Sequence, residues 1–346
     1  MLYQTKNPHG GDIYGGEVEL DFSANTNPFG TPQGILDAVQ AALPEMHRYP
    51  DPYCRKLTRA ISDFEGVPKE YILCGNGAAD LIYAYCEAVR PNLAVELAPT
   101  FSEYALGLKR VGSQVERYYL NQERDYELDK DFLSHLKSTK PDVVFLCNPN
   151  NPTGKTIAPN LLKQILFLCR EKYIRLFVDE CFLDLSDTGE SLKVFLAEYP
   201  NLFLLKAFTK SYGMAGIRLG YCLCSDSRLL ERMSKAVQPW NVSSLAQAAG
   251  IAALQEQEFL QKTKDMIAEE RQWLKRELEA LGFQVCTSCV NYLLFNGSAD
   301  LHIKLKEKKM AIRNCDNYYG LGPGWYRIAV RLHEENERLI QAMKEV

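Results

Sequence analysis

No apolar run in the 346 residues reaches the length of a membrane span. The opening stretch MLYQTKNPHGGD is polar and lacks the apolar core of a signal peptide, so a cytoplasmic chain with no membrane partner is expected. An excess of positive charge is missing too. Lys and Arg total 40 against 44 Asp and Glu, and the formal net charge of -4 gives no electrostatic reason to expect nucleic acid as a partner. Metal-ligand clusters are scarce. Cys286 and Cys289 form one CxxC, but zinc would need a second pair or nearby histidines, so these read as packing residues and no metal is expected. The eleven cysteines are scattered through strand-like and helix-like segments, and with no export signal they are expected as reduced thiols. There is no internal repeat, low-complexity tract or long run of like charge.

What remains is an ordinary globular composition, 46% hydrophobic and 24% charged, in a chain long enough for two domains. Strand-like and helix-like pieces alternate from residue 72 to residue 210. LAVELA, QVERYYL, PDVVFLC, YIRLFVDEC and NLFLLKA read as strands; SEYALGLKRVG and PNLLKQILFLCREK read as helices. This alternation predicts an α/β fold with a mostly parallel sheet, whose functional groups gather at the carboxyl ends of the strands. After Pro239 helix dominates, with a long amphipathic run from Gln255 to Gly282, followed by short strands and helices that suggest a smaller α+β domain. The expected division is an irregular arm over residues 1–34, a large domain over 35–240 and a small domain over 241–346.

The chemistry centres on FTKSYGMAGIRLGY, Phe208 to Tyr221. Lys210 follows the hydroxyl of Thr209, and Arg218 lies eight residues on, among glycines. A lysine with a lowered pKa is a nucleophile toward aldehydes, and a hydroxyl with a guanidinium suits a phosphate dianion. Together they describe a seat for pyridoxal phosphate held through Lys210. Lys206 competes for that role but lacks the flanking hydroxyl and glycines. Asp179, after the apolar run LFV, suits the partner of the pyridine nitrogen. Asn151 in NPNNPTG could donate to the ring's phenolic oxygen, and Phe101 in APTFSEY could stack on the ring. The strand-turn-helix YILCGNGAADLIYAY offers the backbone N–H groups of Gly77, Ala78 and Ala79 to a phosphate. The same GxGxx pattern, with Glu96 some twenty residues on, also marks dinucleotide sites, but Asp80 stands where the third glycine belongs and would crowd helix–strand packing.

With GNGAAD, PTFSEY, NPNNPTG, VDE and TKSYGMAGIRLGY in order over nearly the whole length, the chain resembles the fold-type I pyridoxal-phosphate enzymes, in the aminotransferase class I/II group. The resemblance implies a large domain with a seven-stranded sheet, an N-terminal arm close to the small domain and the active site, and a homodimer with shared sites. In that dimer Tyr49 would reach the cofactor phosphate held by the other subunit. Many members carry Tyr three residues after the aspartate; here Phe182 stands there, so one ring hydrogen bond is expected to be missing. Within the group, HGGD with LDFSANTNPFG, and IRNCDNYYGLGPGWYRIAVRLHEENERL, are similar to threonine-phosphate decarboxylases of cobalamin biosynthesis, with histidinol-phosphate aminotransferases next. Either implies a small phosphorylated amino compound as substrate. The resemblance gives substrate roles to His9, Gly10, Asn25, Asn151, Arg313 and Arg327. A ligand-sensing, non-catalytic use of the fold is the remaining alternative; against it, Lys210 and Asp179 are both retained.

Overall fold

A computed structural model describes residues 9–346; the first eight residues of the expected arm lie outside the described part. Thirteen strands are described. A two-residue strand β1 (Leu20–Asp21) comes first. Seven strands then build the central sheet: β2 (Ile72–Gly75), β3 (Leu93–Ala98), β4 (Gln114–Tyr119), β5 (Val143–Cys147), β6 (Arg175–Asp179), β7 (Leu202–Ala207) and β8 (Gly220–Leu223). Their order is β2-β8-β7-β6-β5-β3-β4. Only β8 runs against its neighbours in that sheet; the other pairings are parallel. The sheet is therefore the mostly parallel, seven-stranded one expected.

The central strands VVFLC, RLFVD and LFLLKA are buried almost throughout, because helices cover both faces and neither side of the pleat meets water. One face is aromatic. Phe145, Phe177 and Phe203 are direct cross-strand partners, with ring centroids 4.7 and 4.8 Å apart. Tyr85, on the helix Ala78–Val89, and Tyr104, on the helix Glu103–Arg110, pack edge-on or stacked over this ladder. The opposite face is aliphatic, with Val144, Leu146, Leu176, Val178, Leu202 and Leu204 in the largest apolar cluster. Because side chains alternate along a strand, Asp179 falls on the aromatic face and Lys206 on the aliphatic one.

The C-terminal part holds β9 (Gln284–Val285), β10 (Tyr292–Asn296), β11 (Met310–Ala311), β12 (Arg313–Asn314) and β13 (Trp325–Ala329). Four of them form an antiparallel sheet in the order β12-β13-β10-β9, while β11 pairs in parallel with β1. Leu20 and Phe22 thus enter the apolar cluster of Leu274, Leu278, Phe295, Ile328 and Leu339. The helix Ser244–Ala253 packs instead with the helix Gln33–Ala42, its Ala246, Ala249 and Ala253 in the same cluster as Ile35. No described helix is long and apolar enough to cross a membrane. None of the eleven cysteines is disulfide-bonded.

Candidate active site

A cavity of about 250 Å³ opens at the carboxyl ends of the parallel strands. Strand direction explains the assembly. Ala78 and Ala79 follow β2, Asn151 follows β5, Asp179 ends β6, and Lys210 lies in the single turn Phe208–Ser211 just after β7. The antiparallel β8 begins at this same rim, so Arg218, two residues before it, is delivered there as well. The arm adds His9, Gly10 and Asn25, and the C-terminal part adds Arg313 and Arg327. Phe101 and Thr209 complete the set of expected residues that line the cavity.

Two expected residues do not line it. Gly77 stands directly behind the wall: at φ +82°, with an added Cβ only 2.7 Å from Arg218 Nη2, its place admits glycine alone. Tyr49 is 79% exposed and stacks on Trp240 with ring centroids 4.5 Å apart, outside the cavity of its own chain.

Asp179 is buried and doubly held. Tyr104 Oη donates to its Oδ2 at 2.6 Å, and the backbone N–H of Cys181 donates to its Oδ1 at 2.9 Å. Burial pushes its carboxyl above the ordinary value, against the pull of those two hydrogen bonds and of the Lys210 charge. Lys210 is displaced the opposite way. Burial around its amine, then the positive charges of Arg327 and Arg218, lower it to about 8. Its Nζ lies 5.7 Å from the centre of the Phe182 ring, which offers no hydroxyl and packs edge-on against Tyr292. The rival Lys206 is excluded by its surroundings. It is 4% exposed on the aliphatic face, 2.9 Å from Glu65 and 3.5 Å from Asp184. Although burial alone would lower it, the charges of Asp184, Glu65 and Glu180 raise it above the ordinary lysine value, so it stays protonated and is no nucleophile.

Across the cavity, Arg327 is 6% exposed and donates to Asn151 Oδ1 and to the carbonyl of Ser23. That commits the amide oxygen of Asn151 and leaves its NH₂ to the cavity. Buried polar atoms without partners remain at the cavity wall: Nε of Arg327 and both side-chain atoms of Asn25. An unpaired buried polar group is costly, so this wall is built for a polar ligand. His9 Nε2 lies 2.7 Å from Glu103 Oε1, with its ring beside Phe101. Arg313 donates to Asn317 Oδ1 at 2.7 Å and lies over Tyr318. Arg331 stays outside the cavity, bonded to Glu335 and the carbonyl of Asp21. The dinucleotide alternative finds no support in the geometry. Asp80 caps the turn through Asn76 N–H and Asn241, and Glu96 is buried against Arg117, turned away from the cavity.

Sequence reasoning passed over several residues in and behind the wall. Tyr104 was visible in PTFSEY, but only the packing shows it beneath Asp179. Ser23, Cys147, Cys181 and Tyr318 carry no pattern that distinguishes them from ordinary core or loop residues.

Comparison with known proteins shows the family. The family model described as "Aminotransferase class I and II" matches residues 17–343. A threonine-phosphate decarboxylase of Salmonella typhimurium is 35% identical over 331 residues, 94% of this chain and 91% of that protein. A histidinol-phosphate aminotransferase of Methanococcus aeolicus is 28% identical, covering 94% of this chain and 90% of that protein. Among solved structures, the histidinol-phosphate aminotransferase of Clostridium acetobutylicum superposes with a TM-score of 0.88 at 27% identity, covering 94% of this chain and 98% of that one. With these matches and a lysine, an aspartate and an arginine converging at the strand ends, the chain belongs to the class I and II aminotransferase family, whose cofactor is pyridoxal phosphate.

Proposed function

We propose that this protein decarboxylates O-phospho-L-threonine to (R)-1-aminopropan-2-yl phosphate, a step of cobalamin biosynthesis. The observation that carries the reading is the convergence of His9, Gly10, Arg313 and Arg327 on the Lys210 cavity. Two guanidiniums suit a substrate with two anionic groups. The likeness to threonine-phosphate decarboxylases favours this choice within the family.

The residues present fit pyridoxal phosphate. The N–H groups of Ala78 and Ala79 open the helix Ala78–Val89 and have no partner inside it, which suits a phosphate. Thr209 and Arg218 would complete that clamp beside Gly77. Asp179 would hold a proton at the pyridine nitrogen, Asn151 would donate to the phenolic oxygen, and Phe101 would cover a ring face. When bound, the cofactor supplies an aldehyde that joins the Lys210 amine and a protonated ring that draws electrons from the substrate's Cα.

The chain's own residues would then set the outcome. Arg327 holds the substrate carboxylate. Arg313, with His9 and the N–H of Gly10, holds the phosphate. Asn25 satisfies its amide on the substrate. Two anchored anions fix the rotation about Cα, so the carboxylate rather than the hydrogen stands perpendicular to the ring plane. After carbon dioxide leaves, Lys210 returns a proton to Cα. We further propose a homodimer in which Tyr49 of the partner subunit approaches the cofactor phosphate, since the Tyr49–Trp240 stack is exposed in the single chain. A reducing, cytoplasmic setting suits the eleven unpaired thiols.

The test is direct. Incubated with pyridoxal phosphate and O-phospho-L-threonine, the protein should release carbon dioxide and form aminopropanol phosphate. Formation of glutamate from 2-oxoglutarate with histidinol phosphate as donor, without carbon dioxide release, would replace this reading with the transaminase. That second reading is supported by the full-length likeness to histidinol-phosphate aminotransferases.

A further inference from the structure

The loop that follows β12 carries Tyr318 to the cavity wall, close to Arg313. Behind it a second cavity, about 440 Å³, is lined by Asn317, Tyr318 and Tyr319 together with residues of the helix Glu103–Arg110 and of the sheet edge. At that edge Arg117 on β4 lies in register with Glu96 on β3. Arg117 Nε is 2.9 Å from Glu96 Oε1, and Glu96 is only 3% exposed. The guanidinium of Arg117 lies 3.7 Å over the ring of Tyr319. The next residue, Gly320, has φ +84° and sits so close to the Ala98–Pro99 turn that an added Cβ would be 3.2 Å from the Ala98 carbonyl.

A buried ion pair is rarely retained for stability alone, because apolar residues of equal volume serve as well or better. Here the second carboxylate oxygen of Glu96 is buried without a partner, which adds to the cost. What the pair does provide is a guanidinium held by charge at the sheet edge, and its Cζ lies over an aromatic ring. We propose that Arg117, oriented by Glu96, is a positioning residue that clamps Tyr319 and thereby holds Tyr318 and Arg313 in place to receive the substrate's anionic group. The chain of contact is continuous. Tyr319 is fixed to the sheet edge, Tyr318 beside it lies under the Arg313 guanidinium, and Asn317 accepts a hydrogen bond from Arg313.

This inference rests on the reading of Arg313 as an anion holder, and the experiment separates the two. The cofactor-loaded full chain is compared as wild type, Tyr319→Phe, Tyr319→Leu, Arg117→Lys and Arg313→Ala. The Tyr319 variants leave the Glu96–Arg117 pair intact, so folding is preserved. Losing the contact should raise KM for O-phospho-L-threonine by about twofold to fivefold in Tyr319→Leu and Arg117→Lys, with kcat nearly unchanged, because Tyr319 is partly exposed. Tyr319→Phe keeps a ring and should behave as wild type. Hydrogen exchange of the amides from 314 to 321 should quicken in Tyr319→Leu and Arg117→Lys and not in Tyr319→Phe, whatever the substrate. Equal exchange in Tyr319→Leu and Tyr319→Phe, or a wild-type Arg117→Lys, overturns the clamp. An Arg313→Ala protein with unchanged KM, beside faster loop exchange in Tyr319→Leu, upholds the clamp and overturns the role of Arg313.

Discussion

Replacing Lys206 by methionine separates a structural lysine from Lys210, the lysine proposed to hold the cofactor, four residues later. Glu65 is 4% exposed at the end of the helix Arg55–Glu65, and it accepts from Lys206, Lys193 and the hydroxyl of Tyr221 at 2.9, 2.8 and 2.6 Å. Burial alone would raise its pKa, but those partners carry it down from 4.5 to about 2. At 1.36 kcal/mol per pKa unit, that depression corresponds to roughly 3 kcal/mol of stability at neutral pH. The sign follows from linkage. A carboxyl whose folded pKa is depressed contributes fully above its unfolded value and loses the contribution as pH falls from about 4.5 toward about 2. Lys206→Met removes one of two cations and leaves Glu65 partly unpaired, so a loss of about 2–4 kcal/mol is expected. Urea unfolding at pH 7 should show a lower midpoint with unchanged slope, and the gap between variant and wild type should narrow below about pH 4. Below its midpoint the folded variant should still take up pyridoxal phosphate with the visible absorbance of the wild type, whereas Lys210→Ala should not. A folded Lys206→Met protein without that absorbance, or a Lys210→Ala protein that keeps it, would refute the assignment of the two lysines.

Other consequences are equally direct. Capture of pyridoxal phosphate by the cofactor-free protein needs a neutral amine, so its rate should rise with pH with a midpoint near about 8; a midpoint near the ordinary lysine value of 10.5 would contradict the lowered pKa of Lys210. Asp179→Asn removes the carboxylate beneath the site and should lower kcat by about 10²–10⁴ while the fold is kept, as judged by circular dichroism. Gly77→Ala places a Cβ within 2.7 Å of the Arg218 guanidinium at φ +82°, so the Kd for pyridoxal phosphate should rise by about tenfold or more, measured by equilibrium dialysis. Tyr104→Phe deletes the 2.6 Å hydrogen bond to Asp179 and should cost about 1–3 kcal/mol of thermal stability.

The amino-acid order by itself carried most of the large sheet. Continuous apolar runs such as VVFLC and LFLLKA must be buried on both faces, and strands that alternate with helices must run parallel, which puts their polar ends on one rim. For that reason Asp179, Asn151 and Lys210 could be assigned to one pocket from their place after apolar runs. Short elements were less legible. The strand Gly220–Leu223 reads as the tail of a glycine-rich turn, and its four residues show no periodicity; pairing on both sides makes it a strand, and its reversed direction brings Arg218 to the rim. Leu20–Asp21 is likewise a strand of two residues, paired with the equally short Met310–Ala311.

Choices between similar residues belonged to the tertiary structure. The flanking hydroxyl and glycines already favour Lys210 over Lys206, and the fold supplies the physical reason: the pleat points Lys206 to the aliphatic face, where Glu65 waits, and the turn after β7 brings Lys210 into the cleft. Tyr104 and Arg117 owe their partners to residues 75 and 21 positions away, contacts that no sequence spacing encodes. Charge environment is a property of three-dimensional neighbours, so the opposite displacement of the two lysines arises only when the chain has closed on itself.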